Sequence, residues 1–169
     1  VRDTPISEEI LVGAAVGAAM TGLRPVAELM YVDFLTLAMD QLVNQAAKIR
    51  YMFGGQISVP MMLRSQGGTG RSAAAQHSQS LEAWVMHTPG LHLAMPADAT
   101  DAYVLIKHAL TLADPVVFLE HKGLYAQSFP FNPESAPPWG KAKISRSGND
   151  CSIICYSRIC IRLSKQFQK

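Results

Sequence analysis

Proton transfer needs a titratable side chain that is neither fully solvated nor sealed in an apolar core, and two residues of this sequence fit by type and neighbourhood. Glu8 follows Ser7 and precedes Glu9, Ile10 and Leu11, so a capping residue and two carboxylates open an apolar run, the signature of a helix start. The helix dipole favours a negative charge there, whereas Ile6, Ile10 and Leu11 disfavour one, and a carboxyl group under both influences can hold a proton for a partner. The same spacing serves equally well if Glu8 and Glu9 merely stabilise the helix start. His77 lies in Ala75-Gln76-His77-Ser78-Gln79, a polar island behind a glycine-rich stretch. By spacing alone it is either an acid/base group or a hydrogen-bonded structural histidine.

Other chemistries lack their signatures. Gly67-Gly68-Thr69-Gly70-Arg71 has neither the spacing nor the lysine of a phosphate loop, and no GxGxxG opens a helix after the first strand, which argues against hydride transfer. A GxSxG elbow is missing, and the five histidines form no HExxH. Cys151, Cys155 and Cys160 have neither zinc spacing nor an even count for a disulfide framework, which points to a reducing compartment.

These side chains must be positioned by an alternation of strands and helices. The sequence predicts a short extended piece at Val1–Thr4, a helix from Glu8 closed by Gly22, and a strand within Arg24–Met30. A long helix is expected from about Asp33 to about Met52, ended by Gly54-Gly55, then a strand over Val59–Leu63 and a glycine-rich loop over Ser65–Ser72. Ser80–His87 reads as a helix, Leu91–Met95 as a strand, Ala97–Leu112 as a helix and Pro115–Glu120 as a buried strand. Such alternation implies an α/β fold, a parallel sheet with helices on both faces, whose ligands gather at the carboxyl ends of the strands. Four prolines mark 121–140 as a linker between a first domain, 1–120, and the start of a truncated second one, 141–169, with strand-like pieces at Lys141–Arg146 and Ser152–Tyr156.

Composition narrows the partners. With 15 Lys+Arg against 13 Asp+Glu, the net charge of +2 is too small for a nucleic-acid binder, and Ile10–Met20 is shorter than the roughly 20 apolar residues that span a bilayer. Hydrophobic residues make up 49% and charged residues only 17%, below the roughly 25% of a self-sufficient domain, so another chain is expected to cover part of the surface.

Several blocks in order carry a resemblance: Asp3-Thr4-Pro5-Ile6-Ser7-Glu8, Gly22-Leu23-Arg24-Pro25-Val26-Ala27-Glu28, Asp40-Gln41 with Asn44, Ala46-Ala47-Lys48, Ala74-Ala75-Gln76-His77-Ser78-Gln79 and Asp114-Pro115-Val116-Val117-Phe118-Leu119-Glu120. From about Arg2 to about Tyr156 the chain resembles the β subunit of the thiamine-diphosphate-dependent E1 component of 2-oxo acid dehydrogenase complexes, pyruvate dehydrogenase above all. The resemblance implies a pyrimidine-binding domain lacking its N-terminal part, active only with an E1 α subunit in an α2β2 heterotetramer. That subunit carries the GDG-type motif holding the diphosphate and Mg²⁺, a motif this sequence lacks. It further implies oxidative decarboxylation of a 2-oxo acid with acyl transfer to the lipoyl group of an E2 acyltransferase, in bacterial cytoplasm or mitochondrial matrix. Acetoin dehydrogenase β subunits share the pattern, and a non-catalytic assembly subunit is the alternative outside enzymes.

By the same resemblance Glu8 is the hydrogen-bond partner of N1′ of the cofactor's aminopyrimidine, and Met30 and Phe34 contact or stack on that ring. By spacing alone those two are ordinary core residues. His77 matches the histidine that assists substrate and lipoyl proton transfers, and Met61, Ala109, Leu110, Leu112 and Asp114 match the positions that hold a structural K⁺. From Ile159 to Lys169 the tail departs from the family's Ala/Glu-rich helix.

Overall fold

The computed structural model describes residues 1–167. Its centre is a four-stranded, wholly parallel sheet in the order β1-β2-β4-β3, with β1 at Val26–Leu29, β2 at Met62–Gly67, β3 at His92–Ala94 and β4 at Val116–His121. Successive side chains of a strand face opposite sides, and here each side has its own core. Val117 and Leu119 of β4 join Leu63 of β2 and Ala27 and Leu29 of β1 on one face. This face is covered by α1, Glu8–Met20, by the 32–49 stretch and by α3, Glu82–Met86. Val116 and Phe118 join Met62 and Ala94 on the other, under Ala109, Leu105 and Ile106 of α4, Ala99–Ala109. Helices on both faces are thus observed. The steps from β1 towards the β3 edge cross one face and the return through α4 crosses the other, as right-handed crossovers require.

Local chemistry explains most boundaries. Ser7 is the extended residue before α1, with Glu8 and Glu9 in the first turn, although the Ser7 side chain makes no capping bond. Asp98 caps α4 by accepting from the Asp101 amide at 2.8 Å. Gly22, at φ +95°, ends the turn that reverses the chain from α1 into β1.

Four expectations are corrected. Val1–Thr4 joins no strand, so the sheet has four strands among the described residues. The single helix expected over 33–52 divides into a 3₁₀ segment at Val32–Ala38, a π segment at Asp40–Ala46 and a short α2 at Ile49–Met52. The strand expected at Val59–Leu63 starts later and runs through Gly67, taking up the beginning of the glycine-rich loop. A Cβ at Gly67 would lie 2.6 Å from Val32 Cγ1, which is why glycine stands inside a strand there. Neither Lys141–Arg146 nor Ser152–Tyr156 forms a strand; the chain runs extended and largely exposed to a final α5, Arg158–Gln166.

The 121–140 stretch is anchored rather than loose. Asn132 N donates to Thr100 Oγ1 at 3.0 Å, and Trp139 stacks on His108 at 4.9 Å. Val26 of the edge strand β1 is 51% exposed, and Ile10 of α1 and Leu37, Tyr51 and Met52 of the 32–52 stretch are exposed apolar residues.

Candidate functional site

Parallel strands end on one edge, and here that edge gathers most of the residues singled out from the sequence. Leu29 of β1 pairs in register with Ser65 of β2, and Gly67 of β2 with His121 of β4, so Met30, the glycine-rich turn and Lys122 leave the sheet side by side. Beyond β1, Tyr31 leads into the 3₁₀ segment carrying Phe34. His77, half-buried in a single 3₁₀ turn at Ala75–His77, is set edge-on against Tyr31 at 4.6 Å and 79° and against Phe34 at 5.5 Å and 87°. Phe34 and His77 are therefore in contact, while Met30 stands 51% exposed beside them in the chain.

Glu8 opens α1, on another element. A helix joined to the next strand by a tight turn returns antiparallel to it, so the first turn of α1 lies at the level of the carboxyl end of β1. The carboxyl group is half-buried, and no hydrogen bond or ion pair engages it among the described residues, whereas its neighbour Glu9 accepts from Gln41 at 3.3 Å. Chemically, the edge offers an apolar and aromatic wall in Met30, Tyr31 and Phe34, an unengaged carboxyl group and an imidazole. A flat ring could pack against the aromatic part of that wall.

Family comparison decides what kind of edge this is. Residues 1–127 match the family described as the transketolase pyrimidine binding domain. The chain belongs to that family. It is similar to the mitochondrial pyruvate dehydrogenase E1 component subunit beta-2 of Oryza sativa subsp. japonica, 49% identical over 164 residues, which covers 94% of this chain and 44% of that protein. A second relative, the acetoin:2,6-dichlorophenolindophenol oxidoreductase subunit beta of Cupriavidus necator, is also 49% identical, over 91% of this chain and 46% of its own length. The pyruvate dehydrogenase E1 component subunit beta of Rhizobium meliloti is 47% identical over 92% of this chain and 34% of that protein. The chain thus spans less than half the length of these relatives. Among solved structures, a split-gene transketolase described as an inactive β4 tetramer has the same fold, with a TM-score of 0.60 at 21% identity over 76% of this chain and 39% of that one.

Within this pyrimidine-binding domain the five positions matched to a potassium site each have an oxygen that already accepts a hydrogen bond. Arg24 Nη1 donates to the carbonyls of Leu110 at 3.0 Å and Leu112 at 2.8 Å, the Met61 carbonyl accepts from Val116 N, and that of Ala109 accepts from Leu112 N. The Asp114 carboxylate is paired with Arg50 at 2.7 Å. No group of three or more His, Cys, Asp or Glu residues able to hold a metal occurs among the described residues.

Three residues near His77 have no signal strong enough to single them out in the sequence. Tyr31, Asp33 and Lys122 surround His77, the last two as buried charges. The available signal is a lysine three residues behind the apolar run Val116–Leu119, masked by the prolines that follow it. His121 also lies here, its Nδ1 accepting from Gly123 N at 3.0 Å. Burial, and then the charge of Arg158, push its pKa below the ordinary histidine value. A depressed imidazole means that the unfolded chain binds the extra proton first. The stability contributed by neutral His121 is therefore complete above the unfolded value, about 6.5, and is lost as the pH falls through the folded one. Urea midpoints measured from pH 8 to pH 5 are expected to fall, and His121→Asn to flatten that decline; an identical slope in the variant would remove His121 as its source.

Proposed function

We propose that this chain forms the pyrimidine half of the active site in the β subunit of a thiamine-diphosphate-dependent 2-oxo acid dehydrogenase E1 component. One observation carries the reading: identity of 45–49% to pyruvate dehydrogenase E1 β subunits over more than nine-tenths of the chain. The unengaged Glu8 carboxyl group at the carboxyl edge of a pyrimidine-binding fold supports it.

When bound, thiamine diphosphate supplies the electron sink for decarboxylation of a 2-oxo acid. Glu8 would hold a proton against N1′ of the aminopyrimidine. Met30 and Phe34 would wall the ring and fix its plane. His77 would give and take protons beside the substrate and the incoming lipoyl group. An α subunit would hold the diphosphate and Mg²⁺, and its interface would cover the exposed apolar side chains of α1 and of the stretch through Met52. Relatives from mitochondria and from bacteria leave two compartments, matrix and cytoplasm, according to source.

The acetoin-specific relative, equally similar, sustains a second substrate reading. Assaying the subunit, assembled with its α partner, on pyruvate, branched-chain 2-oxo acids and acetoin with lipoyl and dye acceptors separates them. Pyruvate is expected to give the highest kcat/KM. Preference for acetoin would move the chain to the second reading, and a stable complex that binds no thiamine diphosphate would identify an assembly subunit instead.

A further inference from the structure

Two opposite charges are buried at the carboxyl edge without pairing with each other. Lys122 is 1% exposed and Asp33 5% exposed, and neither forms an ion pair among the described residues. Both instead act on the backbone that carries His77. Lys122 Nζ donates to the His77 carbonyl, lies 3.5 Å from Ser78 Oγ and sits 5.5 Å from the Tyr31 ring centroid. Asp33 Oδ1 accepts from the amides of Ser78 and Gln79, each at 3.2 Å, while Oδ2 is buried with no partner.

The His77 carbonyl and the Ser78 amide belong to one peptide group. A cation therefore holds its oxygen end and an anion its nitrogen end, both aligned with the peptide dipole. Fixing that plane fixes the position of His77 Cα and the axis about which ψ turns, while Tyr31 and Phe34 confine the ring. Just upstream the backbone is strained: Ser72 and Ala74 have φ of +51° and +61° without being glycine. Apolar residues would fill the space under this segment at lower desolvation cost than two charges do, so the clamp serves placement rather than cohesion.

We infer that Asp33 and Lys122 are positioning residues for His77, clamping the His77–Ser78 peptide so that the imidazole faces the reacting groups. The inference rests on the proposed role of His77, and its test has a readout independent of that role. In the subunit assembled with its α partner and labelled at histidine Cε1, the His77 resonance, assigned by its loss in His77→Ala, is shifted by the rings of Tyr31 and Phe34. Lys122→Met and Asp33→Asn are expected to move it towards the position of a free histidine, and Lys122→Arg to leave it in place. Acylation of a lipoyl domain should fall about tenfold or more in kcat in Lys122→Met, with little change in substrate KM. It should fall no further when Lys122→Met is added to His77→Ala, because residues acting through one group are non-additive. An unmoved resonance in both Lys122→Met and Asp33→Asn, or losses that multiply in the double variant, would overturn the inference. A moved resonance with lipoyl transfer unaffected by His77→Ala would sink the proposed role of His77 and leave the clamp standing. Asp33→Asn and Lys122→Arg keep the test open if Lys122→Met does not assemble.

Discussion

Glu8→Gln in the assembled enzyme is expected to lower turnover by a factor of about 10² or more, the range lost when a positioned acid/base group is removed. Glutamine preserves the size and helix propensity of the side chain, so α1 keeps its packing through Val12, Ala15, Val16 and Ala19, all buried. The amide can still form a hydrogen bond, yet it cannot share a proton with a ring nitrogen. The loss should therefore appear in kcat, with unfolding stability within about 0.5 kcal/mol of wild type, because the Glu8 carboxyl group makes no hydrogen bond or ion pair among the described residues. Glu9→Gln is the internal control. Its partner is Gln41 at 3.3 Å on the neighbouring segment, so the substitution should leave turnover unchanged. Equal losses at both positions would assign Glu8 to the helix start alone, as its sequence spacing also allows.

The second large effect concerns the fold beneath the site. Gly90→Ala would place a Cβ 2.0 Å from the carbonyl oxygen of Ala47 and 2.9 Å from its carbon, in a residue whose φ is already +98°. Ala47 is buried between the π segment and α2, and Lys48 Nζ ties the same turn by donating to the Pro89 carbonyl at 2.6 Å. Backbone is thus opposed to backbone, with no flexible side chain to yield. The left-handed conformation alone costs a residue with a Cβ about 1–2 kcal/mol, and the forced displacement adds to it. A loss of at least about 3 kcal/mol is expected by urea unfolding, a large part of a typical domain's 5–15. Gly140→Ala separates the two causes: its φ is +76° but nothing lies within 4 Å, so it should show the conformational cost only. Similar losses at both positions would mean that the contact at Ala47 relaxes freely.

The strongest periodic and capping signals were legible in the sequence. Glu8–Met20, the apolar strand ending in Val116-Val117-Phe118-Leu119 and the parallel alternation around them follow from residue type, because burial on both sheet faces leaves little choice of side chain. What was not legible depends on contacts between distant segments. Asp33 reads as the start of a helix, but its carboxylate is turned to Ser78 and Gln79, and the backbone after it winds as 3₁₀ and then π. The run of glycines at 67–70 reads as loop, whereas the close approach of Val32 demands Gly67 inside β2. Lys122 was hidden by four prolines that mark 121–140 as linker, although the segment is docked through Asn132 and Trp139. For the site the division is the same. Glu8 and His77 stand out as ionisable groups in apolar or polar-island surroundings, while the partners that orient His77 come from Asp33 and Lys122, 44 or 45 positions away.

The decisive measurement is a structure of the full-length subunit assembled with its α partner and thiamine diphosphate. A Glu8 carboxyl oxygen within hydrogen-bond distance of the aminopyrimidine N1′, about 2.5–3.2 Å, with Phe34 and Met30 against the ring, is the predicted result. A pyrimidine bound elsewhere, with the Glu8 side chain directed into solvent, would contradict it.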